Sequence, residues 1–350
     1  MRVDGKEVNV MKVLGSTVWL AAAGGVVMDC SDSPTPPATE DGGAEGGTED
    51  AATAGAADPR VADLVPASPE TDAAGSRALW RPVPGVPRGD LETLGDGTGT
   101  VPWIGALDTV YRWNIDVWTR VALPSSGHPY AIWAGGSEDV WAVGRGGTAW
   151  HWSADGWREF ETGVDGGLNA VWGTAATDSW AVGDDGTILH FDGTAWSPAP
   201  APDDRTLRAI HGSGPNDVWA AGDRGALLHW DGTSWTSFDS GTTGGLRGVW
   251  CAASDDAWAV GEEGTILHWD GEHWIRTDCP TGVNLSAVEG RSANDIWAVG
   301  AEATILHWNG TEWTEERNPC PPTRSFFDVT VGSTGDVWAV GSCRVMRREP

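Results

Sequence analysis

Short runs of alternating apolar and polar residues recur along this chain at a fixed interval of 39 residues. The unit at residues 246–280 contains four such runs, at 246–250, 257–261, 265–269 and 274–277. Tight turns separate them, among them Glu262-Glu263-Gly264 and Asp270-Gly271. Alternation between turns of this kind is typical of β-strands joined by hairpins. Each unit therefore predicts a four-stranded antiparallel sheet, with its first run as the inner strand and its last as the outer strand.

Aromatic and imidazole positions mark each unit. The second strand carries the first Trp, at Trp141, Trp180, Trp219, Trp258, Trp297 and Trp338. The third strand carries a His ten residues later, at His151, His190, His229, His268 and His307. The outer strand opens with another Trp, at Trp157, Trp196, Trp235, Trp274 and Trp313. A period of this size with four strands per unit predicts an all-β fold, the β-propeller.

The number of blades depends on the less regular ends of the repeat. Upstream, the runs 91–95, 101–105 and 109–113 and Trp118 match the four strands of a further unit, and Trp80 matches the outer-strand Trp of a unit before it. Downstream, the last unit has only three runs, at 327–332, 337–341 and 344–348. The spare strand near Trp80 can complete the last blade and leave no open sheet edge. We expect a seven-bladed propeller over residues 78–350, with six blades as the alternative.

Two resemblances support a bacterial propeller repeat protein. The third-to-outer hairpin, with Asp192-Gly193 and Trp196, resembles the Asp-box (BNR-like) hairpin of sialidase-like propellers. The run Trp-Ala-Val-Gly-Asp-x-Gly-Thr-Ile-Leu is similar to the repeats of photosystem assembly-factor propellers. Asp192 and Gly193 are adjacent, whereas an Asp box has one residue between them. The resemblances thus imply the fold, and no sialidase activity is carried over.

The net charge of the chain limits the classes of molecule that it can bind. The net charge is −28, and no Lys/Arg stripe offsets it, so we expect no nucleic-acid binding. Residues 31–75 contain ten acidic residues against Arg60 alone and have almost no large apolar side chain. Such a segment cannot bury enough surface to offset chain entropy. Residues 31–77 are therefore predicted to be a disordered acidic linker.

The N-terminus predicts export. An apolar run at 13–28 follows Lys12, which is typical of a secretory signal over residues 1–30, with Met11 a possible true start. Ala21-Ala22-Ala23 offers an ordinary cleavage site ending at Ala23. Alternatively, Cys30 resembles the lipidated cysteine of a bacterial lipoprotein, although Asp29 departs from the small residue expected before it. We expect a periplasmic, cell-surface or outer-membrane protein that meets the membrane only through a lipid anchor.

The repeated polar residues are expected to be structural. Each unit has an Asp before its second strand, expected to accept backbone N–H groups of that turn. These residues are Asp139, Asp178, Asp217, Asp256, Asp295 and Asp336. The repeated His is expected to bond a neighbouring strand or blade, with Arg112 and Arg348 replacing it in the end units. One His per blade does not suit a metal site, and no catalytic motif is present, so neither enzyme activity, metal nor cofactor is predicted.

Two groups of residues are candidates for ligand binding. The chain has 24 Trp, and Trp133, Trp172 and Trp250 lie at the ends of inner strands, where they could stack on carbohydrate. His211, Glu289 and Val331 stand at the same position of their units. The turns between second and third strands vary most, and variable turns on a repeated scaffold often carry recognition. Their candidates are Asp184, Asp185, Arg224, Glu262 and Glu263. We expect a monomeric, non-catalytic binding protein for a protein or glycan partner; the alternative is a sialidase-like or lyase-type carbohydrate-active enzyme.

Cysteine positions predict one disulfide. Cys320 lies in the link after the sixth blade and Cys343 in a turn of the closing blade, and these two kinds of loop share one face of a propeller. We expect Cys320 to bond Cys343, with Cys279 as the second choice. Cys251 lies toward the opposite face and is expected to remain a free thiol.

Overall fold

The computed structural model describes residues 80–86, 91–95, 102–114, 117–332 and 334–350. The predicted signal segment with Cys30 and the predicted acidic linker lie outside these ranges. The described residues form seven four-stranded antiparallel sheets, so the seven-bladed prediction is confirmed and the six-bladed alternative is wrong. No helix in the described ranges is long and apolar enough to span a membrane.

Blades 1 to 6 follow the chain in order, each running from its inner to its outer strand. Blade 1 comprises β2 (Leu91–Gly95), β3 (Trp103–Ala106), β4 (Thr109–Asn114) and β5 (Val117–Val121). Blade 2 comprises β6 (Pro129–Gly136), β7 (Asp139–Gly144), β8 (Ala149–Ser153) and β9 (Gly156–Phe160). Blade 3 comprises β10 (Leu168–Ala175), β11 (Asp178–Gly183), β12 (Ile188–Phe191) and β13 (Trp196–Pro198). Blade 4 comprises β14 (Leu207–Gly214), β15 (Asp217–Gly222), β16 (Ala226–Trp230) and β17 (Trp235–Ser237).

Blade 5 comprises β18 (Leu246–Ala253), β19 (Asp256–Gly261), β20 (Ile266–Trp269) and β21 (Trp274–Arg276). Blade 6 comprises β22 (Leu285–Ser292), β23 (Asp295–Gly300), β24 (Ile305–Trp308) and β25 (Trp313–Glu315). Blade 7 is built from both ends of the described chain: β26 (Phe326–Val331), β27 (Val337–Gly341), β28 (Arg344–Arg348) and β1 (Trp80–Pro82).

The N-terminal strand closes the ring as predicted. β1 pairs antiparallel with β28, with Trp80 opposite Arg348, and the Val83 N–H extends the ladder by donating to the Val345 carbonyl at 2.9 Å. Without β1, β28 would present a row of unpaired backbone groups. The two ends of the propeller are thus held in one sheet by hydrogen bonds.

The repeated Trp residues fill the space between blades. At each of the seven blade junctions, the second-strand Trp of one blade meets the outer-strand Trp of the next edge to face, with ring centroids 4.9–6.3 Å apart. The pairs are Trp103–Trp157, Trp141–Trp196, Trp180–Trp235, Trp219–Trp274, Trp258–Trp313, Trp297–Trp80 and Trp338–Trp118. Edge-to-face packing is a favourable arrangement for aromatic rings. Trp80 belongs to this series, which explains why a single N-terminal strand completes the last blade.

The two faces of the propeller carry different connections. Turns between second and third strands lie beside the links between blades; for example, the Gly264 N–H donates to the Val283 carbonyl at 2.8 Å. Four of these turns are short 3₁₀ segments, and this face is called the 3₁₀ rim: Arg145–Gly147, Asp184–Gly186, Asp223–Gly225 and Glu262–Gly264. The opposite face, called the hairpin rim, carries the other two turns of blades 2 to 6.

A disulfide joins the last interblade link to the closing blade. Cys320 and Cys343 are bonded, with Cα atoms 5.9 Å apart, inside the range that a disulfide requires. Cys251 is a buried free thiol, and Cys279 is also free and partly buried. The pairing expected from the sequence is therefore the one in the structure, and Cys279 takes no part in it.

Candidate binding site

The repeated Asp and His form a structural pair inside each blade. In blade 4, the His229 Nε2–H donates to the Asp217 carboxylate at 2.6 Å, and the imidazole lies against Trp219 with ring centroids 4.4 Å apart. Ser213 also donates to Asp217. The same Asp–His bond, at 2.6–2.9 Å, recurs in blades 2 to 6. The expectation that each Asp chiefly caps backbone N–H groups missed this partner, which lies twelve residues away on an adjacent strand.

An arginine takes the place of the His in both end blades. Arg112 lies over Trp103 in blade 1, with its guanidinium carbon 5.4 Å from the ring centroid. In blade 7, Arg347 lies over Trp338 at 5.0 Å and bonds Asp336 at 3.1 Å. The sequence alignment had assigned this role to Arg348, which was wrong by one position. The turn before β28 is one residue shorter than in the regular units, so Arg347 is the residue that pairs opposite Trp338.

The three candidate Trp side chains lie between neighbouring inner strands. Trp133, Trp172 and Trp250 are only 9%, 7% and 4% exposed. Each ring occupies the space that a Cβ would need at a glycine of the next blade: Trp133 at Gly173, Trp172 at Gly212 and Trp250 at Gly290. This burial leaves little ring surface for a ligand. The equivalent residue in blade 7 is Thr330, opposite Trp338, and not Val331.

Trp250 additionally lines a cavity on the hairpin rim. The cavity has a volume of about 710 Å³, and Asp255, Asp256 and Arg291 contribute to its lining. The Asp256 carboxylate accepts a hydrogen bond from His268, so it is already part of the Asp–His pair of blade 5. Within the described residues, no three His, Cys, Asp or Glu side chains are arranged to hold a metal ion.

The candidate turn residues all lie on the 3₁₀ rim. Asp185, Arg224 and Glu263 are at the turn tips with φ of 53°, 56° and 54°, the left-handed region that side chains other than glycine disfavour. Blade 2 has Gly146 at this position, with φ 69°. A glycine would therefore relieve the backbone strain at each tip, yet these three blades carry an exposed, charged side chain there.

A set of mouth residues that the sequence analysis missed lies just inside these turns. Every inner strand has a register shift between its first and third residues, so the second residue is a β-bulge without a partner on the next strand. A bulge turns its side chain away from the regular alternation. The seven bulge residues are Glu92, Tyr130, Asn169, Arg208, Arg247, Ser286 and Phe327. Together they form what is called here the channel mouth.

The bulge residues of blades 3 to 5 bond the first residue of the 3₁₀ turn in their own blade. Arg208 binds Asp223 through two hydrogen bonds, from Nε at 3.0 Å and from Nη2 at 2.8 Å. Arg247 donates to Glu262 at 2.7 Å. In blade 3, Asn169 donates to the Asp184 carboxylate at 3.2 Å and to the Leu207 carbonyl of the next blade at 2.9 Å.

Charge coupling extends around the mouth from blade to blade. The hydrogen bond from Arg208 lowers the pKa of Asp223, and Arg247 of the next blade lowers it further. The pKa of Arg208 is raised, first by its bond to Asp223, and also by Asp184 and Glu262 of the two flanking blades. The backbone N–H of Gly245, followed by the side chain of Arg247, lowers the pKa of Glu262.

The other half of the mouth differs in chemistry. Ser286 and Phe327 are the bulge residues of blades 6 and 7, and Phe327 is 41% exposed. Leu107, in the second-to-third turn of blade 1, is 46% exposed on the same rim. The mouth therefore combines an arc of paired charges in blades 3 to 5 with an arc in blades 6 and 7 whose bulge residues, Ser286 and Phe327, are uncharged. Such an arrangement can bind a ligand that presents both polar and apolar groups. The signal in the sequence was the second residue of each inner strand, whose type varies around the ring, although blades 4 and 5 both have Arg.

Solved structures share the fold at low sequence identity. A virginiamycin B lyase from Staphylococcus aureus with quinupristin has TM-score 0.65 and 15% identity, covering 74% of this chain and 94% of that one. The structure described as YCF48 bound to D1 peptide has TM-score 0.63 and 14% identity, covering 79% and 98%. The WD40 repeats of RRP9 have TM-score 0.65 and 12% identity, covering 77% and 96%. No protein-family model and no curated protein matches the sequence.

Proposed function

We propose that this protein is a non-catalytic binding propeller that recognises a protein partner at the channel mouth on its 3₁₀ rim. The observation that carries the proposal is the bulge in each inner strand, which puts six different types of side chain at the mouth over the seven blades. A purely structural position in a repeat would keep one residue type, as the second-strand Trp does. Variation on a constant scaffold is the arrangement expected of a recognition surface.

The charge pairs support binding because they hold the guanidinium and carboxylate groups in place before a ligand arrives. Side chains that are already ordered lose less conformational entropy on association. The charged turn tips at Asp185, Arg224 and Glu263 extend the surface outward, at a backbone conformation that favours glycine. The fold is also used for peptide binding elsewhere, since a YCF48 propeller is described with a bound peptide.

Site-specific photo-crosslinking in the producing cells tests the proposal. A crosslinking amino acid at Arg224 should capture a protein partner, and the same group at Ala195, exposed on the hairpin rim, is the matched control. The double variant Arg208→Ala/Arg247→Ala should abolish the crosslink while the circular dichroism spectrum stays unchanged. Equal capture from both rims, or capture that survives the double variant, would refute recognition at the mouth.

The two competing functions have their own readouts. Binding to defined sugars on a glycan array, lost in a Trp250→Ala variant, would favour a glycan ligand on the hairpin rim. Cleavage of a glycan, or of quinupristin, by the purified protein would favour an enzyme of the sialidase or lyase type. The wild-type protein is predicted to show none of these activities.

We further propose that the chain is exported and anchored through Cys30, with the acidic segment as a tether. The apolar run, the cysteine at its end and the linker composition support this arrangement. Incorporation of a radiolabelled fatty acid, lost in Cys30→Ser, is the expected result. A mature N-terminus directly after Ala23, without label, would contradict lipidation and favour ordinary secretion.

A further inference from the structure

The junction between blades 7 and 1 contains a carboxylate at a position where the regular units have none. Asp328 is the third residue of β26, opposite Val340 of β27. The third inner-strand residue of blade 1 is Thr93. The equivalent residues of blades 2 to 6 are small and uncharged: Ala131, Ala170, Ala209, Gly248 and Ala287. Asp328 is therefore the one charged residue among these seven.

Three hydrogen bonds hold the Asp328 carboxylate in its ionised form. Its Oδ2 accepts the backbone N–H of Leu94 at 2.8 Å and the hydroxyl of Thr93 at 3.1 Å, both on β2 of blade 1. Its Oδ1 accepts the N–H of Val329 at 2.9 Å. An ionised carboxyl group accepts about four hydrogen bonds, two at each oxygen. The Oδ1 atom of Asp328 therefore keeps one acceptor position free.

The negative charge of Asp328 has no counter-charge within the described part of the chain. All three donors are neutral groups, and no basic side chain there contacts the carboxylate. Three carboxylates of the channel mouth, in contrast, each have a basic partner; the pairs are Glu92–His128, Asp223–Arg208 and Glu262–Arg247. A carboxylate that is shielded from bulk water without a counter-charge raises the free energy of the protein. A cation supplied from outside would lower it.

The open side of Asp328 faces the central channel. β26 is the inner strand of blade 7, and it packs against β27 of its own blade, β22 and β23 of blade 6 and β2 of blade 1. These strands cover its back and both flanks. Asp328 is nevertheless partly exposed. Since only the channel side of an inner strand is left open, a ligand reaches the carboxylate through the channel.

Two exposed apolar side chains belong to the blades that meet at Asp328. Phe327, the residue before it, is 41% exposed at the channel mouth, and Leu107 in the second-to-third turn of blade 1 is 46% exposed. Lys and Arg side chains carry a cation on an aliphatic stem that packs on apolar surface. Aromatic rings such as Phe327 also attract cations. A hydrated inorganic ion makes no use of such a surface, so the neighbourhood favours a basic side chain.

We propose that Asp328 binds a single basic side chain, a Lys or Arg that the protein partner inserts into the channel mouth. Its ammonium or guanidinium group donates one N–H to the free position on Oδ1, and its aliphatic stem packs along Phe327. The assignment of this cation to a protein rests on the proposed function. The net charge of −28 also favours a basic partner, because complementary charge steers association.

NMR titration of the full chain with two side-chain analogues tests the site. The probes are n-butylammonium for Lys and n-propylguanidinium for Arg, with 1-butanol as the uncharged control. The amide signals of Leu94 and Val329, which donate to the carboxylate, should shift and saturate with the two cations only. In Asp328→Asn the affinity should fall roughly tenfold or more, because a hydrogen bond to a charged group is lost. Asp204→Asn, at an exposed carboxylate, should bind like the wild type.

Three outcomes of the titration would overturn the proposal. One is an Asp328→Asn variant that binds the cations as the wild type does. Another is saturation of the same amide signals by calcium chloride at a lower concentration than either organic cation, which would make this an inorganic ion site. If Asp328→Asn fails to fold, the wild-type shifts decide: equal shifts at the amides of Ala131 and Ala209 would show binding without preference for Asp328.

Photo-crosslinking from position 224 separates this proposal from the proposed function. Capture of a protein partner should be lost when Asp328→Asn is added to the crosslinking protein. A partner captured equally well by that variant would refute the inserted basic side chain and leave recognition at the mouth intact. Binding of the two cations at Asp328 without any captured protein would support the site and refute the proposed function.

Discussion

Replacing Asp217 by Ala tests whether the Asp–His–Trp cluster stabilises each blade. The change removes the acceptor of two hydrogen bonds, those from His229 and Ser213. A donor left without an acceptor costs about 1–3 kcal/mol when it is buried. The His229 side chain keeps 21% exposure, so water can reach part of the site. Ser213 is exposed and can turn to water, so only the His229 donor is left without an acceptor in the blade. We therefore expect the free energy of unfolding to fall by about 2 kcal/mol, the middle of the range for one such donor.

Urea denaturation followed by Trp fluorescence and by circular dichroism measures this loss. Asp204→Ala, at an exposed carboxylate of an interblade link, is the matched control and should change stability by less than about 0.5 kcal/mol. A double-mutant cycle with His229→Ala separates this mechanism from backbone capping. If Asp217 acts through the imidazole, the two losses should be strongly non-additive. Additive losses, or an Asp217→Ala variant as stable as the control, would refute the reasoning.

Two further predictions concern the contacts that hold the ring together. Gly212→Ala should destabilise the protein by roughly 1–3 kcal/mol, because its Cβ would meet the Trp172 ring at 2.6 Å; Gly214→Ala, where the space is open, is the control, and equal denaturation midpoints would contradict the packing argument. Cys320→Ser should cost about 3 kcal/mol under oxidising conditions, because the disulfide closes a loop between positions 23 residues apart. Under reducing conditions the difference from the wild type should vanish, and a difference that persists would mean that the substitution acts through packing.

The repeat itself could be derived from the sequence because its information is local. Each 39-residue unit contains its own strands, turns and marker residues, so the number of blades follows from counting. Closure by the strand at Trp80 was also predictable, since one end of the chain lacks an outer strand and the other end has one to spare. The disulfide followed from the same reasoning, because loop classes alternate between the two faces of any propeller.

The mouth could not be derived in this way because it depends on contacts between strands and blades. Arg208 and Phe327 lie at the bulges of β14 and β26, where strand alternation is interrupted. No turn residue or hydrophobic pattern in the sequence predicts these bulges. The Asp–His pairs bridge two strands at a distance that only the sheet register fixes. The turn before β28 is one residue shorter than in the regular units, so the sheet register places Arg347, and not Arg348, opposite Trp338.

Asp328 shows most clearly the difference between what the sequence predicts and what the tertiary structure decides. By sequence it is one acidic residue among 50, in a chain where nearly all acids are expected on the surface. Its carboxylate accepts hydrogen bonds from Thr93 and Leu94, more than 230 residues earlier in the chain, where the ring closes. The sequence determined which units repeat and in what order. Only the tertiary structure decided which side chains the ring brings to the channel mouth and to the junction between blades 7 and 1, because these places are formed by residues far apart in the sequence.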